Sequence, residues 1–394
     1  MAVSIEHLRP GDEPARLELG GQAFGSRRPY DPAWETPGDD VVAAYEGDRL
    51  IGAAAMMPGG QWFGGRPVPG PGVSGVSVAP DRRGRGLGRA LMTELLSLAR
   101  ARGAAISTLY PTTAALYRSV GYEIAGDHVE RSLPVEALRS RRRGGVAVDV
   151  EAFAADELDA LAPGYDALAS LTPGSIVRGD RWWWHRRRLL ARSDDVQYLL
   201  RLDHEGAAGY VVARATKSDR RILDLVVDDV GAASPEVLAA LGGVLAGFGT
   251  VAGLVRSHLA PWILQAMTTE GQRWNAGESF GWMLRIVDLE RAVAARGWPP
   301  VEGSVDLDIT DDTGLVPAGP WRLVAGGDTV AVEPGGAGTW RIGIGDLASW
   351  YSGWLSASQL AHRGLLRTDD GSADDLALLD ALAAGPSPVL GEFF

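Results

Sequence analysis

Val76-Ser77-Val78-Ala79-Pro80-Asp81-Arg82-Arg83-Gly84-Arg85-Gly86-Leu87-Gly88-Arg89 is the stretch on which the reading of this chain turns. The apolar run Val73–Val78 before it reads as a strand. After it Leu87, Leu91, Leu95 and Leu98 recur at i, i+4, i+8 and i+11, which is one face of a helix. Gly103 stands where such a helix ends, at the left-handed C′ position. Between strand and helix, Arg83, Gly86 and Gly88 spell R-x-x-G-x-G. Glycines let the backbone turn tightly and bring successive N–H groups up to a pyrophosphate. The helix that follows points its positive end at the same anion. Arg82, Arg83, Arg85 and Arg89 add charge for a pyrophosphate or a further phosphate. The spacing predicts a phosphate cradle, Arg82–Gly88 with Arg89, and Gly84 completes its flexible backbone.

The same letters recur at Arg142, Gly145 and Ala147, where an extended stretch follows and no amphipathic helix does. The order strand, loop, helix therefore separates the first match from the second. On either side of the first match the elements alternate. Val3–Leu8 reads as a strand, Glu13–Phe24 as a helix, and Val41–Tyr45 with Leu50–Met57 as a hairpin about Gly47-Asp48. Pro58–Gly72 reads as a Gly/Pro-rich connector, Ile106–Tyr110 as a strand, Thr113–Ser119 as a short helix, and Tyr122 as the start of another strand. Alternation of this kind indicates an α/β (α+β) layer arrangement.

The basic run Arg139–Arg143 with Gly144-Gly145 reads as a linker. A second block, 146–289, repeats the pattern loosely, with helices at Ala155–Leu168 and Asp180–Ala191 and strands at Val196–Asp203, Gly209–Arg214 and Ile222–Val227. A third block, 290–394, holds several short strands and then helices near Ala348–Leu355 and Asp374–Ala383. The uncharged stretch Val237–Val255 approaches membrane-spanning length, but its glycines favour a buried helix, a break and a strand.

The chain has 394 residues, 46% of them hydrophobic and 22% charged, a soluble globular composition. Its net charge of -12 argues against a nucleic acid or an anionic membrane as partner and suits a cationic substrate such as an amine. There is no cysteine, which removes disulfides, thiolate nucleophiles and thiolate metal sites. The six histidines lack metal-ligand spacing, so no metal is expected. No secretory leader is visible at the N-terminus, and a cytoplasmic location is expected.

Two further motifs carry less. Gly277-Glu278-Ser279-Phe280-Gly281 matches a hydrolase nucleophile elbow, but Trp282–Leu289 after it reads as a strand where that elbow needs a helix. Trp182-Trp183-Trp184-His185-Arg186-Arg187-Arg188 has the residues for nucleic-acid stacking, but reads better as a helix that buries its tryptophans and leaves the arginines wet.

The strand-loop-helix unit resembles the acetyl-CoA motif of the GCN5-related N-acetyltransferases. Leu116-Tyr117-Arg118-Ser119-Val120-Gly121-Tyr122 is similar to the segment that closes that fold. Trp282-Met283-Leu284-Arg285-Ile286-Val287-Asp288-Leu289, Leu365-Leu366-Arg367-Thr368-Asp369 and a C-terminus in Phe resemble the enhanced intracellular survival (Eis) family over essentially the whole chain. The resemblance implies tandem acetyltransferase folds, 1–140 and a degenerate 146–289, plus a sterol-carrier-like α+β domain, 290–394, assembled as a homo-hexamer. It implies acetyl-CoA as co-substrate and a primary amine as acceptor, either an aminoglycoside- or polyamine-like small molecule or a lysine side chain. By position it makes Tyr117 the general acid and the α-carboxylate of Phe394 the general base. The backbone of Val76–Val78 would hold the thioester oxygen. Phe24, Trp34, Gly75 and Glu392 fall at acceptor-pocket positions, whereas Ser26 and Arg27 stand where the family has an acidic and an aromatic residue. With no cysteine to carry the acyl group, direct attack in a ternary complex is expected. The rival expectation is a non-catalytic acyl-CoA or lipid sensor built on the third block.

Overall fold

A computed structural model describes residues 3–25, 40–138, 149–191, 193, 195–217, 223–268 and 274–393. The chain forms two compact units that are not consecutive in sequence. The first takes 1–126, 281–388 and 393–394, and the second takes 127–280 and 389–392. Two long strands, Glu123–Pro134 and Asn275–Ile286, each give one part to one unit and one part to the other. Compact units and sequential blocks therefore differ.

In the first unit the sheet runs Val3–His7, Asp40–Glu46, Arg49–Met57, Gly72–Val78, Ile106–Leu109 and then the end of Asn275–Ile286. Within that sheet Gly72–Val78 and Ile106–Leu109 run parallel, joined through the helix Leu87–Ala101. That helix buries Leu91, Met92, Leu95, Leu96 and Ala99 in a cluster with Ile51, Ala54, Met56 and Val73 of the sheet, so its apolar stripe is what docks it. Gly103, at φ 86, ends it as expected.

The stretch expected to be a plain connector is structured. Gly60–Phe63 and Arg66–Pro69 form a hairpin through Gly64 and Gly65, at φ 58 and 78. Two adjacent positive φ angles suit the tight turn that matches strand twist, and glycine adopts them without a Cβ clash. Pro67 and Pro69 hid this strand, because proline is tolerated only in an edge pairing of this kind.

The same unit holds a second sheet, ordered Thr329–Pro334, Gly319–Gly327, Val301–Thr310, Trp340–Gly343 and Leu366–Arg367. Val305, Leu307 and Ile309 alternate inward, and Val305 and Leu307 face Leu323 and Trp321. Helices Ile344–Ser352, Ala357–His362 and Ala373–Ala383 cover that face. Trp350, Leu360 and Leu379 leave a cavity of only about 10 Å³ between sheet and helices.

The second unit has its own sheet, from Glu123–Pro134 through Ala252–Ser257, Leu223–Ala232, Ala207–Lys217 and Val196–His204 to Asp149–Ala152. The helix expected at 155–168 is split into a 3-10 turn, Ala155–Leu161, and the helix Ala162–Ala169, with Pro163 in the first turn of the second piece. Asp180–Ala191 buries Trp182 and Trp183, as its sequence suggests, but its arginines are not left wet: Arg186 is 12% exposed and lies 3.6 Å from Asp229. The uncharged stretch resolves into the helix Pro235–Ala246, a 3-10 turn at Gly247–Thr250 and the strand Ala252–Ser257. Among the described residues no helix is long and apolar enough to cross a membrane.

Candidate active site

The parallel strands Gly72–Val78 and Ile106–Leu109 pair only at Gly72–Thr108 and Val73–Leu109, and beyond that point they part. On its other edge Gly72–Val78 carries a bulge. Ser74 faces Ala55 and Ser77 faces Ala53, so Gly75 and Val76 together occupy the place of one residue. Gly75 accommodates this at φ 62, a conformation that side chains rarely adopt. Neither Gly75 nor Val76 has a strand partner in the register. The result is an open cleft whose wall is backbone, with Val78 at its far end.

Beyond the strand, Pro80–Arg82 makes a single 3-10 turn, and Gly84 and Gly86 sit at φ 74 and 76. No atom lies within 4 Å of where a Cβ of either would stand, so their lack of a side chain leaves open space. Gly86 opens the helix Leu87–Ala101 without a side-chain cap, and the first turn carries no acid. The first N–H groups of that helix are therefore unmatched by any cap, and its positive end is unopposed. Gly88 has a different task. The side chain of Leu116 lies 3.3 Å from its Cβ position, so this glycine lets two helices approach.

The four arginines divide. Arg85 and Arg89 are exposed beside the glycines. Arg83 is exposed too, and its Nε donates to the Val78 carbonyl at 3.2 Å. Arg82 departs from expectation. Its guanidinium is held by Glu46, with Nε 3.1 Å from Oε2, and by Asp81 at 2.7 Å, and Asp81 is also gripped by Arg49 at 2.9 Å. Two carboxylates compete with any phosphate for Arg82, which makes it a brace for the loop. The pairing holds Glu46 below the usual carboxylate range.

Tyr117 lies on the helix Ala114–Arg118, 5% exposed, in the cluster against which Val76, Val78 and Leu87 pack. Its ring meets Tyr122 edge-on at 6.2 Å and its hydroxyl bonds to Thr112. Burial raises its pKa, so the phenol keeps its proton at neutral pH.

Around the bulge, Gly75 is exposed and its Cβ position is 3.9 Å from Nη1 of Arg16, which is paired with Glu13 at 2.7 Å. Phe24, 49% exposed, ends the helix Glu13–Phe24. Tyr110, at the end of the parting strand, packs on Phe393 with centroids 4.5 Å apart. Trp34, Ser26, Arg27, Phe394 and the second loop-like match at Arg142, Gly145 and Ala147 lie outside the described residues.

Glu392, which the resemblance places at an acceptor-pocket position, is engaged in an ion pair of the second unit. Its side chain, 10% exposed, is paired with Arg178 at 3.0 Å and accepts from the Tyr165 hydroxyl at 2.9 Å in the second unit. A carboxylate so buried needs such a partner. Arg16 and Tyr110 were not singled out from sequence, because Gly75 and Phe393, which they meet, lie far along the chain. Among the described residues no group of His, Asp and Glu is placed to hold a metal, and Ser279 of the elbow-like motif lies within a strand.

The acetyltransferase (GNAT) domain family matches residues 4–125, and a further acetyltransferase (GNAT) domain family matches 174–286. The sterol carrier protein domain family matches 289–391. N-alpha-acetyltransferase RimI of Mycobacterium tuberculosis is 34% identical over 131 residues, which is 32% of this chain and 80% of RimI. The chain belongs to the GNAT acetyltransferases. The N-acetyltransferase Eis of Mycobacterium tuberculosis is similar over almost the whole length, 26% identical across 385 residues, 92% of this chain and 91% of Eis. The crystal structure of a GCN5-related N-acetyltransferase from Kribbella flavida superposes with a TM-score of 0.85 at 27% identity, covering 100% of this chain and 98% of that one. Eis1 from Mycobacterium abscessus superposes with a TM-score of 0.83 at 24% identity, each chain covered fully. This enzyme is thus an Eis-like N-acetyltransferase with two GNAT domains and a sterol-carrier-like third. The cleft, the two uncrowded glycines and the uncapped helix start fit the acetyl-CoA that the GNAT fold implies.

Proposed function

We propose that the enzyme moves an acetyl group from acetyl-CoA to a primary amine by direct attack, in the N-terminal cleft. The acceptor is an aminoglycoside- or polyamine-like small molecule or a lysine side chain. When bound, acetyl-CoA supplies an activated acyl carbon with a thiolate leaving group. The N–H groups of Gly84, Arg85 and Gly86 and the start of Leu87–Ala101 take its pyrophosphate, and Arg83, Arg85 and Arg89 add charge. The backbone of Val76 and Val78 would align the pantetheine arm, and the N–H of Val76, which has no strand partner, would take the carbonyl oxygen. Tyr117 holds a proton at its Oη for the departing sulfur.

The amine must lose a proton before it attacks, and the α-carboxylate of Phe394 is the base we assign. The stacking of Phe393 on Tyr110 supports that assignment. The net charge of -12 favours a cationic acceptor. We propose a cytoplasmic location, and a homo-hexamer as the family resemblance implies.

The observation that carries this reading is Tyr117, buried and proton-retaining, in the same cluster as the parted strand. The cavity of about 10 Å³ between sheet and helices of the third domain gives the rival lipid-sensing reading no support. Thiol release from acetyl-CoA with a panel of polyamines, aminoglycosides and lysine peptides tests the proposal. At least one class is expected to release CoA in step with acetylated product, and silence across the panel would overturn it.

A further inference from the structure

The second acetyltransferase fold repeats the strand-helix-strand unit of the first. Leu223–Ala232 runs parallel to Ala252–Ser257 through the helix Pro235–Ala246. Pairing stops at Val227 and Ser257, yet the first strand continues to Ala232, so this pair also parts. The turn differs, however. Only Ala233 and Ser234 separate strand from helix, and Ser234 caps the helix by accepting from the Val237 N–H at 3.3 Å. No glycine cradle is left, and the helix start is satisfied.

The opening has another occupant. Val389 and Leu390 are 4% and 0% exposed, and the Leu390 N–H donates to the Asp127 carbonyl at 3.2 Å. A Cβ at Gly391 would stand 3.1 Å from the carbonyl oxygen of His258, the residue that follows the second strand. Glu392 ends the segment on Arg178, which also donates to Asp229 at 2.7 Å, beyond the point where the first strand stops pairing with the second. The guanidinium, 1% exposed, lies 3.6 Å from the centroid of the Tyr165 ring, whose hydroxyl bonds Glu392.

We propose that Val389–Glu392 fills the cofactor cleft of the second fold, and that Arg178 is a positioning residue that fixes where the following residues leave it. The second fold is then a clamp for the C-terminal segment and takes no CoA. The consequence for turnover, though not the clamp itself, rests on the base assigned above.

Titration of the full-length enzyme with CoA should give one site per chain, and two sites would overturn the proposal. The clamp is tested by carboxypeptidase A trimming of the C-terminal phenylalanines in wild type, Arg178→Met, Arg178→Lys and Glu392→Gln. Trimming should accelerate about tenfold in Arg178→Met, with Lys intermediate. Equal rates in all four proteins would overturn it. Glu392→Gln keeps the shape of the cluster, and serves alone if Arg178→Met does not fold. Arg178→Met should also lower kcat by about 10²-fold with KM for acetyl-CoA held, because a small displacement of a reacting group is costly. In enzyme truncated after Glu392 the same substitution should have no further effect. An equal drop in the truncated background would make Arg178 merely structural and overturn its positioning role. If truncation leaves the rate unchanged, the carboxylate base fails, while the trimming result still decides the clamp.

Discussion

Phe393 lies against Tyr110 with ring centroids 4.5 Å apart and planes tilted by 36°. Tyr110 directly follows the strand that parts from Gly72–Val78, so the pair stands beside the parted strands. An aromatic pair of this kind is worth about 0.5–1.5 kcal/mol beyond its buried area. Phe393→Ala is therefore expected to raise KM for the amine by about 2–10-fold while KM for acetyl-CoA is unchanged. Steady-state kinetics with each substrate varied in turn checks this, and an effect confined to acetyl-CoA would move the pair out of the acceptor side.

At Gly86 the backbone sits at φ 76 in open space, so alanine there meets strain and no steric clash. The left-handed conformation costs an alanine about 1–2 kcal/mol, and relief of that strain turns the amides away from the phosphates. Gly86→Ala should raise KM for acetyl-CoA roughly tenfold and leave the amine KM alone. Unchanged affinity would show that the loop does not carry the pyrophosphate.

Arg85 and Arg82 should behave differently although both lie in the loop. Arg85→Ala removes an exposed charge facing the cradle, so it should weaken acetyl-CoA binding, and less so in high salt. Arg82→Ala breaks pairs with Glu46 and Asp81, and is expected to lower the melting temperature only slightly, with KM within about twofold. Thermal melting and CoA titration on both variants separate the two roles.

His258 stacks on His128 at 4.1 Å in the second unit. Burial, then the neighbouring imidazole, lowers its pKa to about 4 from 6.5. Above pH 6.5 the ring is neutral in folded and unfolded chains and contributes no pH dependence. As pH falls the unfolded chain takes up a proton that the folded one resists. Stability is therefore lost between about 6.5 and 4 and levels off below. His258→Phe keeps the stack and removes the titration, so its melting temperature should fall less from pH 7 to 5 than that of wild type.

The parts of this enzyme that sequence exposes are those built locally. Strand, arginine-glycine loop and leucine-striped helix are contiguous, so Gly84, Gly86 and the helix start could be placed from spacing alone. Tyr117 needed the family resemblance, since a buried tyrosine on a short helix is common in any core. Arg178 and Glu392 are 214 residues apart, and no local pattern joins them. The ion pair that engages Glu392 was therefore not legible in the sequence. Arg82 looked like its neighbours until Glu46, from a distant strand, proved to hold it. The two long strands that give residues to both units have the same cause, for hydrophobic alternation marks a strand but not which sheet it enters.

The central claim is that Tyr117 supplies the proton to the leaving sulfur. Single-turnover acetyl transfer by Tyr117→Phe, with acetyl-CoA affinity measured alongside, tests it most directly. The phenylalanine keeps the ring in its cluster and removes only the hydroxyl. We predict a rate lower by about 10²–10⁴-fold with acetyl-CoA affinity retained. A rate equal to that of wild type would contradict the account.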